Sequence, residues 1–403
     1  MNTTTSAVET TRHRHQVVVV GGRVAGAATA LLLARAGHDV LVLDRSRFPS
    51  DTLSTHGLAR GGVVQLARWG LLDAVLATGA PAVRQVTFGS GGREKTLRIK
   101  ARAGVDHLVA PRRHVLDTLL LDAAESAGAT VRTGATVVGV RRGTDGRVVG
   151  VEVRADDGQR MTVAADLVIG ADGRRSAMAA WCGAETAHHG GTGATFYTYV
   201  GGVPWPAYEF HVAPRAFTGV FPTHDGEACV WLCAPTADVG ELRAAGSRRT
   251  DVLVAAIDAA APSLGERIRA GHVTAPVRGE IDLPNYVRQP SGPGWALVGD
   301  AGYHRDPVTG HGITDAFRDA ELLAEAAGTA LRDPSTERDA FADYGRRRDD
   351  GLRDTFAITR ALAAFPDPER FVELQLRLSE ALDREADDLA ARPTPARAAT
   401  VAA

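Results

Sequence analysis

The feature that most constrains the fold is a buried strand, a glycine-rich turn and a helix near the start of the chain. Residues 16–20 form an apolar run that is typical of a parallel strand buried on both faces. The turn 21–26 follows it, residues 25–36 have helical composition, and a second apolar strand at 40–43 ends in Asp44. This β–turn–α–β unit of about 30 residues predicts an α/β domain of the dinucleotide-binding type.

The turn and the acid after it predict specific contacts with a dinucleotide. Gly21 permits a tight turn, Gly26 lets the helix pack close to the strand, and the helix N-terminus offers free amides to a pyrophosphate. Asp44 stands 18 positions after Gly26, near the ~20 expected for a ligand of the ribose 2′-hydroxyl. We therefore place Gly22 and Arg45, which neighbour these residues, in the cofactor-binding set.

Arg23 occupies the place of the middle glycine of this pattern. Its side chain stands where a pyrophosphate approaches in the usual arrangement. Two interpretations follow: either Arg23 folds back and cradles phosphate, or the mode of binding is altered. A purely structural turn without a ligand is the alternative to both.

Composition excludes several classes of protein. The chain has 403 residues and a net charge of −2, so it lacks the basic excess of a nucleic-acid binder. With 44% hydrophobic and 23% charged residues it is an ordinary globular protein, long enough for two or three domains. No apolar run reaches the ~18 residues of a membrane span, and no secretory signal is visible, which predicts a cytoplasmic location. Its three cysteines, Cys182, Cys229 and Cys233, are expected to be free thiols.

Two further motifs place an acid after a buried strand. Asp172-Gly173 follows the apolar residues 167–169, and Gly299-Asp300 follows 295–298. Shortly after Asp300 the chain carries a third group of residues suited to a flat ring, since glycines leave room against the backbone. This group consists of Pro307, Gly310, Gly312 and Ile313. A helix that begins near Ile313 would stabilise negative charge on a reduced ring. A glycine-rich connection with Asp300 as a helix cap is the structural alternative.

In their order these motifs resemble the FAD-dependent monooxygenases of the para-hydroxybenzoate hydroxylase superfamily, which includes geranylgeranyl reductase-like and halogenase relatives. The resemblance covers roughly residues 16–330 and implies bound FAD, with NAD(P)H as a transient reductant. It implies pyrophosphate beside Gly21 and Gly26, the adenosine ribose on Asp44 and the ribityl chain on Asp300. It also assigns these residues to FAD: Arg113, Val137 through its backbone, Asp172, Gly173, and Pro307, Gly310, Gly312 and Ile313 along the isoalloxazine. Ala179 stands where the family usually has an arginine, which leaves the mode of NAD(P)H binding open.

The candidate catalytic residues are His56 and His311, and each competes with a role as a packed histidine. His56 lies in a hydroxyl-rich segment after the ribose acid, and His311 lies inside the flavin motif. The candidate substrate-binding residues lie on aromatic strands between residues 194 and 235, where they form either a pocket wall or ordinary core. They are Tyr197, Tyr199, Tyr208, His211, Phe221 and His224. The pairs His188–His189 and His13/His15 lack spaced partners, so no metal site is predicted.

The predicted architecture is α/β: a Rossmann-like FAD-binding domain interleaved with a β-sheet substrate domain, followed by C-terminal helices. The boundaries are 16–80, 104–182 and 275–330 for the FAD-binding domain, 81–103 and 183–274 for the β-rich substrate domain, 331–390 for the helices, and 1–15 and 391–403 for flexible tails. A monomer and a homodimer are both compatible with this organisation.

The predicted function is a monooxygenase that uses NAD(P)H and O2 to hydroxylate or epoxidise an aromatic or polycyclic small molecule through a flavin C4a-hydroperoxide. The alternatives are a FAD-dependent reductase or dehydrogenase of isoprenoid-type double bonds, and a flavoprotein that binds a compound without turnover. A halogenase would require a lysine beside the flavin and a Trp-x-Trp-x-Ile-Pro segment. The only lysines are Lys95 and Lys100, in a presumed hairpin of the substrate domain, and that segment is absent.

Overall fold

A computed structural model describes residues 13–191 and 193–395 of the chain. Most of the two predicted tails, residues 1–12 and 396–403, lies outside the described residues. The first strand begins at His13, so the prediction that residues 13–15 belong to a tail is wrong. These residues pair with residues 163–165 through the backbone, and backbone pairing does not require apolar side chains.

The strands and helices alternate through the first half of the chain, and helices dominate the last quarter. In chain order the strands are β1 (His13–Val20), β2 (Val40–Asp44), β3 (Gln85–Ser90), β4 (Arg93–Arg98), β5 (Thr130–Thr133), β6 (Ala135–Arg142), β7 (Val148–Ala155), β8 (Arg160–Gly170), β9 (Thr186–His188), β10 (Gly193–Gly201), β11 (Tyr208–Ala213), β12 (Ala216–Pro222), β13 (Ala228–Pro235), β14 (His272–Val273), β15 (Arg278–Leu283), β16 (Tyr286–Arg288), β17 (Ser291–Gly292), β18 (Trp295–Leu297) and β19 (Tyr303–His304). The α-helices are α1 (Val24–Arg35), α2 (Arg60–Arg68), α3 (Leu72–Ala77), α4 (Arg113–Ser126), α5 (Ala177–Cys182), α6 (Gly240–Ala244), α7 (Arg249–Ala260), α8 (Pro262–Ala270), α9 (Gly312–Arg332), α10 (Glu337–Ala363) and α11 (Pro368–Ala391).

The first sheet has the order β17-β18-β8-β1-β2-β5 and is extended by the antiparallel pair β6–β7. Strand β1 runs parallel to both β2 and β8, and β18 runs parallel to β8. The carboxyl ends of these four strands therefore lie at one edge of the sheet. Ligands of open α/β sheets bind outside such an edge. The α/β fold class predicted from the sequence is confirmed.

Helix α1 covers the first sheet and is itself covered. Every residue from Val24 to Ala34 is buried, because α1 packs against α4 and α9 as well as the sheet. A helix that is apolar on all sides is expected where it has neighbours on all sides. Its approach to the turn depends on Gly26: a Cβ there would lie 1.8 Å from the carbonyl oxygen of Gly21.

The second sheet has the order β14-β10-β13-β12-β11-β3-β4, with β15 also paired to β10. Side chains alternate between its faces, so Tyr197 and Tyr199 share one face, as the sequence predicts. That face carries a cluster of aromatic residues against the end of α10 and the first half of α11. The opposite face packs on α7 and α8. Strand β15 lies in the segment 275–330, which the predicted boundaries gave to the FAD-binding domain, yet it joins this second sheet through its backbone pairing.

Two smaller features complete the fold. The short strands β9, β16 and β19 form a third sheet in the order β19-β16-β9. Cys229 and Cys233 are buried free thiols and Cys182 is a half-buried one. Within the described ranges, no helix is both long enough and apolar enough to span a bilayer.

Replacing Gly26 with alanine tests the contact between α1 and the turn. The added methyl group would overlap the backbone of Gly21, and such overpacking typically costs about 1–3 kcal/mol of unfolding free energy. We expect a lower melting temperature and weaker cofactor binding. Gly240→Ala is the control, since a Cβ at Gly240 has no heavy atom within 4 Å. Equal melting temperatures for the two variants would contradict this account.

Candidate functional site

A cavity of about 780 Å³ lies at the edge of the first sheet where the carboxyl ends of its parallel strands meet. Thr195 and Tyr197 of β10 form part of its wall, so both large sheets contribute to it. Most of the predicted cofactor residues line this cavity: Gly21, Arg23, Asp44, Arg45, Arg113, Val137, Asp172, Gly173, Gly299, Asp300, Pro307, Gly310, Gly312 and Ile313. Gly22 and Gly26 do not line it.

Asp44 is held in place by the backbone around it. Its two carboxylate oxygens accept hydrogen bonds from the amides of Gly22 and Ser46, each at 2.7 Å. A carboxylate accepts about four hydrogen bonds, so Asp44 retains capacity for two hydroxyl groups. This geometry suits a ribose. Gly22, which does not line the cavity, contacts it through the hydrogen bond from its amide to Asp44.

Val137 lies beside an irregularity in the β6–β7 ladder. The register shifts between Val137 and Gly139, so β6 carries an extra residue there. A bulge leaves backbone groups unpaired. An adenine that pairs with the backbone at Val137, as the resemblance implies, would find such groups at this point of the cavity.

Arg23 makes its contacts with the protein. One terminal guanidinium nitrogen lies 2.8 Å from a carboxylate oxygen of Asp117 and 3.2 Å from the carbonyl oxygen of Ser50. Asp117 is fully buried and also accepts a hydrogen bond of 3.0 Å from Nε of Arg113. Two arginines that line the cavity therefore share one buried carboxylate. Arg23 thus bridges α4 and the segment that follows Phe48.

The Asp172-Gly173 motif lies just before α5, and Asp172 contacts the start of that helix. Ser176 Oγ donates to one oxygen of Asp172 at 2.6 Å, and the amide of Met178 donates to the other at 3.0 Å. Ala179, at the position where the family usually has an arginine, is buried inside this helix. Arg174 and Arg175 line the cavity instead, and both form ion pairs with Glu280.

The loop before α9 offers an open surface for a flat ring. A Cβ added to Gly310 or to Gly312 would have no heavy atom within 4 Å, so this part of the cavity is open next to the backbone. Asp300 is exposed to the cavity, and its carboxylate makes no hydrogen bond to another described residue. A free carboxylate beside an open glycine surface fits the polyol chain and the ring of FAD.

His311 is buried in this loop, and its partner lies on the last helix. Its Nε2 is 2.7 Å from a carboxylate oxygen of Glu385 on α11, while Nδ1 has no partner among the described residues. Burial raises the pKa of Glu385, but the charges of His311 and Arg318 outweigh it and hold that pKa well below the usual range. The sequence analysis missed Glu385, because nothing in the pattern of α11 marks one acid among many.

His311, Asp315 and Glu385 also have the composition of a metal site, with ligand atoms within 4.8 Å of one another. Both carboxylates already have cationic partners: Arg305 contacts Asp315 at 2.7 Å, and Arg318 contacts Glu385 at 2.9 Å. A metal ion would have to displace these arginines. We interpret the cluster as an ion-pair network that fastens α11 to the loop.

His56 lies in the cavity wall and is 1% exposed. Its Nε2 forms a hydrogen bond with the hydroxyl of Tyr199, and the two rings stack with centroids 5.7 Å apart. The pKa of His56 lies well below its usual range, mainly because the side chain is buried and also because the positive charges of Arg113 and Arg112 are near. The imidazole is therefore neutral at pH 7.

The predicted substrate residues differ in where they lie. Tyr197 lines the cavity, and Tyr199 lies behind His56. Tyr208 and Phe221 pack together in the aromatic cluster, with ring centroids 4.7 Å apart. His224 contacts Thr78 at 2.9 Å, and His211 contacts Glu209 at 3.2 Å. The structure does not bring Tyr208, Phe221, His224 or His211 to the cavity wall.

Asp306 is a wall residue that the sequence analysis quoted in a motif but did not select. It is 2% exposed, and one oxygen accepts from the amide of Val308 at 3.0 Å. The other oxygen has no partner among the described residues. Burial raises the pKa of Asp306 to about 6. Asp306 could have been selected from the sequence because it directly precedes Pro307 of the predicted flavin-ring motif.

Asp300→Ala should weaken binding of FAD while leaving the stability of the apoprotein unchanged. The carboxylate has no bond to the described part of the protein to lose, whereas hydrogen bonds from hydroxyls to a charged group are each worth about 1.5–3 kcal/mol. Titration calorimetry with FAD and the melting temperature of the apoprotein would measure the two effects. A lower melting temperature with normal FAD binding would assign Asp300 to the fold instead.

Arg23→Gly should lower both stability and FAD affinity, although it restores the usual glycine. Asp117 would keep only Arg113 as a cationic partner, and weakening the contacts of a buried charge costs roughly 1–3 kcal/mol. Arg23→Lys keeps the charge and is the control, with a smaller expected loss. If the glycine variant binds FAD more tightly than the native chain, the bridge has no role in the cofactor site.

Comparisons with known proteins identify the family of this chain. Curated relatives include digeranylgeranylglycerophospholipid reductase 2 of Methanopyrus kandleri, 29% identical over 92% of this chain and 90% of that protein. Menaquinone reductase of Mycolicibacterium smegmatis is 29% identical over a region that covers 77% of this chain and 76% of that protein. The same fold occurs in the flavin-dependent brominase Bmp2, with a TM-score of 0.79 and 18% identity over 95% of this chain and 96% of that one. It also occurs in PqsL, a probable FAD-dependent monooxygenase from Pseudomonas aeruginosa, with a TM-score of 0.77 and 22% identity over 90% of this chain and 100% of that one. The family model described as FAD binding domain matches residues 14–350. The chain belongs to this family and is a FAD-dependent oxidoreductase.

Proposed function

We propose that the protein reduces a carbon–carbon double bond of a neutral, apolar small molecule, with NAD(P)H as the source of electrons. The observation that carries this proposal is Asp306, a buried carboxyl group in the wall next to the glycine loop. Because burial raises its pKa to about 6, it holds a proton more readily than an exposed carboxyl group does. Reduction of a double bond requires such a proton donor in addition to a hydride.

The side chains around Asp306 indicate a neutral substrate. His56 is neutral, and burial raises the pKa of Tyr197 to about 12, so its phenol keeps its proton at pH 7. Arg305, the cation in this part of the wall, is paired with Asp315 at 2.7 Å. A carboxylate or phosphate on the substrate would find no free cation here among the described residues. An apolar molecule requires none.

The reaction balances with these groups. Bound FAD, once reduced by NAD(P)H, would supply a hydride to one carbon of the double bond. The π bond breaks, Asp306 gives its proton to the other carbon, and two new C–H bonds form. The Asp306 carboxylate then takes a proton from water, so the residue is protonated again for the next turnover.

The names of the curated relatives support this direction. One is named for a digeranylgeranylglycerophospholipid and another for menaquinone, and the part that these two compounds share is a neutral, unsaturated polyprenyl chain. These relatives align with most of this chain. An isoprenoid or prenylated quinone is therefore the first substrate class to test.

Monooxygenation of an aromatic or polycyclic molecule is the second candidate. It is favoured by the buried aromatic rings of His56 and Tyr197 in the cavity wall, since such rings keep water from that side and oxygen transfer from a flavin requires exclusion of water. Halogenation is not favoured. Neither Lys95 nor Lys100 lines the cavity, and Lys95 lies on β4.

The two candidates differ in their need for O2. Reduced enzyme would be mixed without oxygen with geranylgeraniol or a short-chain menaquinone, and flavin reoxidation would be followed by absorbance. Reoxidation with a product that has gained two hydrogen atoms on the carbons of a prenyl double bond supports the reductase, whereas conversion of the quinone ring to the quinol does not. Reoxidation only with O2, accompanied by an aromatic product that has gained one oxygen atom, supports the monooxygenase. If no compound reoxidises the flavin faster than O2 alone does, both candidate functions are contradicted. The remaining alternative is then a flavoprotein that binds a compound without turnover.

Asp306→Asn tests the proton donor. The amide has nearly the same shape but no acidic proton, so substrate-dependent reoxidation should fall by the ~10²–10⁴-fold typical of general acids. Reduction by NAD(P)H and FAD content should remain normal. In the native enzyme the protonated fraction of Asp306 falls as pH rises through about 6, so the rate should decline above that pH. The variant should lack this decline. An unchanged rate and pH profile would assign the proton to another group.

A further inference from the structure

The β3–β4 hairpin forms the free edge of the second sheet, since β3 is the single partner of β4 among the strands that the structure describes. Its register places Phe88 opposite Lys95, Val86 opposite Leu97 and Ser90 opposite Arg93. Residues opposite one another in an antiparallel pair share a face. The outer end of the aromatic face of the sheet therefore carries Phe88 and Leu97 with the cations Lys95 and Arg93 beside them.

Two large apolar side chains of the hairpin are exposed. Phe88 is 46% and Leu97 is 45% accessible, and few other large apolar residues of the described chain are as exposed. Phe88 stacks on Phe210, with centroids 5.7 Å apart, so its ring is held on the sheet with its outer surface free. Fixed apolar side chains at a surface indicate an interaction site more strongly than mobile ones do.

The hairpin also holds the main unpaired positive charge of this region. Arg93, Lys95, Arg98 and Lys100 are exposed, and none of them forms an ion pair with a described residue. Both lysines of the chain are among these four, although the chain as a whole has a net charge of −2. Arg93 and Lys95 share the face of Phe88 and Leu97, whereas Arg98 and the single acid of the strand, Glu94, lie on the opposite face. Glu94 accepts a hydrogen bond from Ser263 there. We name the set Phe88, Arg93, Lys95, Leu97, Arg98 and Lys100 the basic hairpin.

Protection of a sheet edge explains only part of this composition. Charged side chains on an edge strand prevent pairing with other chains, which accounts for the lysines and arginines. The same requirement disfavours exposed Phe88 and Leu97. Pairing of β4 with β4 of a second copy is opposed by the repulsion between the three cations that each copy carries, Arg93, Lys95 and Arg98. A surface that is anionic and partly apolar would bind both the cations of the hairpin and the apolar side chains of Phe88 and Leu97.

We propose that the basic hairpin docks the protein on the surface of an anionic phospholipid bilayer. Cations near such a surface each contribute roughly a fivefold gain in binding, and clusters of four to eight of them are typical of lipid recognition. Phe88 and Leu97 would enter the boundary between headgroups and acyl chains, as apolar side chains of surface-bound proteins do. The proposal requires neither FAD nor turnover, so it is independent of the proposed reaction.

Vesicle flotation tests this proposal with the intact flavoprotein. The protein should float with vesicles of an equimolar mixture of phosphatidylcholine and phosphatidylglycerol, and not with pure phosphatidylcholine. Lys95→Gln/Lys100→Gln should weaken partitioning by roughly 25-fold, from about fivefold for each cation. Phe88→Ser/Leu97→Ser should also weaken partitioning onto the anionic vesicles, but the remaining binding should depend on salt concentration as it does in the native protein. The control is Arg154→Gln/Arg160→Gln, which removes two exposed cations from β7 and β8.

The lysine and arginine variants should keep the native melting temperature and FAD content, because their altered side chains are exposed. Phe88→Ser/Leu97→Ser loses the stacking contact with Phe210, so it should melt at a lower temperature but keep its FAD content. Equal flotation of the hairpin variants and the control would overturn the proposal, as would equal binding to neutral vesicles. Binding of a single-stranded oligonucleotide in place of vesicles would overturn it in favour of nucleic acid. A concentration-dependent dimer that the hairpin substitutions abolish would assign the surface to a second copy.

Discussion

The whole site depends on the parallel alignment of β1, β2, β8 and β18. Each strand ends at the same edge of the sheet, and each is followed by one polar or glycine-rich segment of the cavity. Residues from positions 21, 44, 172 and 300 meet there only because the backbone ladders fix the register of the strands. The second sheet then closes the cavity with Thr195 and Tyr197 of β10. No single loop forms the site.

The sequence predicts the parts of this arrangement that depend on local chemistry. Asp44 follows an apolar strand at a characteristic distance from Gly26, and Gly310 and Gly312 leave a surface without side chains. These features could be identified because a strand end, a turn and a helix start each have a recognisable composition. The FAD assignment and the α/β class rest on them.

The remaining parts depend on contacts between distant segments. Asp117 binds Arg23 across 94 positions of the chain, and Glu385 binds His311 across 74. Neither acid differs in type or spacing from its neighbours in the sequence. The aromatic strands show a second limit: alternation places Tyr197 and Tyr199 on one face correctly, but it does not tell which part of that face meets the cavity and which part meets α11. Only the packing of the helices decides this.

The contact between Glu385 and His311 has a consequence for the order in which the site can assemble. The cavity lining lies between residues 20 and 316, whereas Glu385 lies outside that lining on α11. His311 and Arg318 both bind Glu385 from buried positions, so they have this carboxylate partner only when α11 is docked. The loop that carries Gly310 and Gly312 is therefore held by a residue 74 positions further along the chain than His311, and docking of α11 is expected to be a late step in assembly of the site.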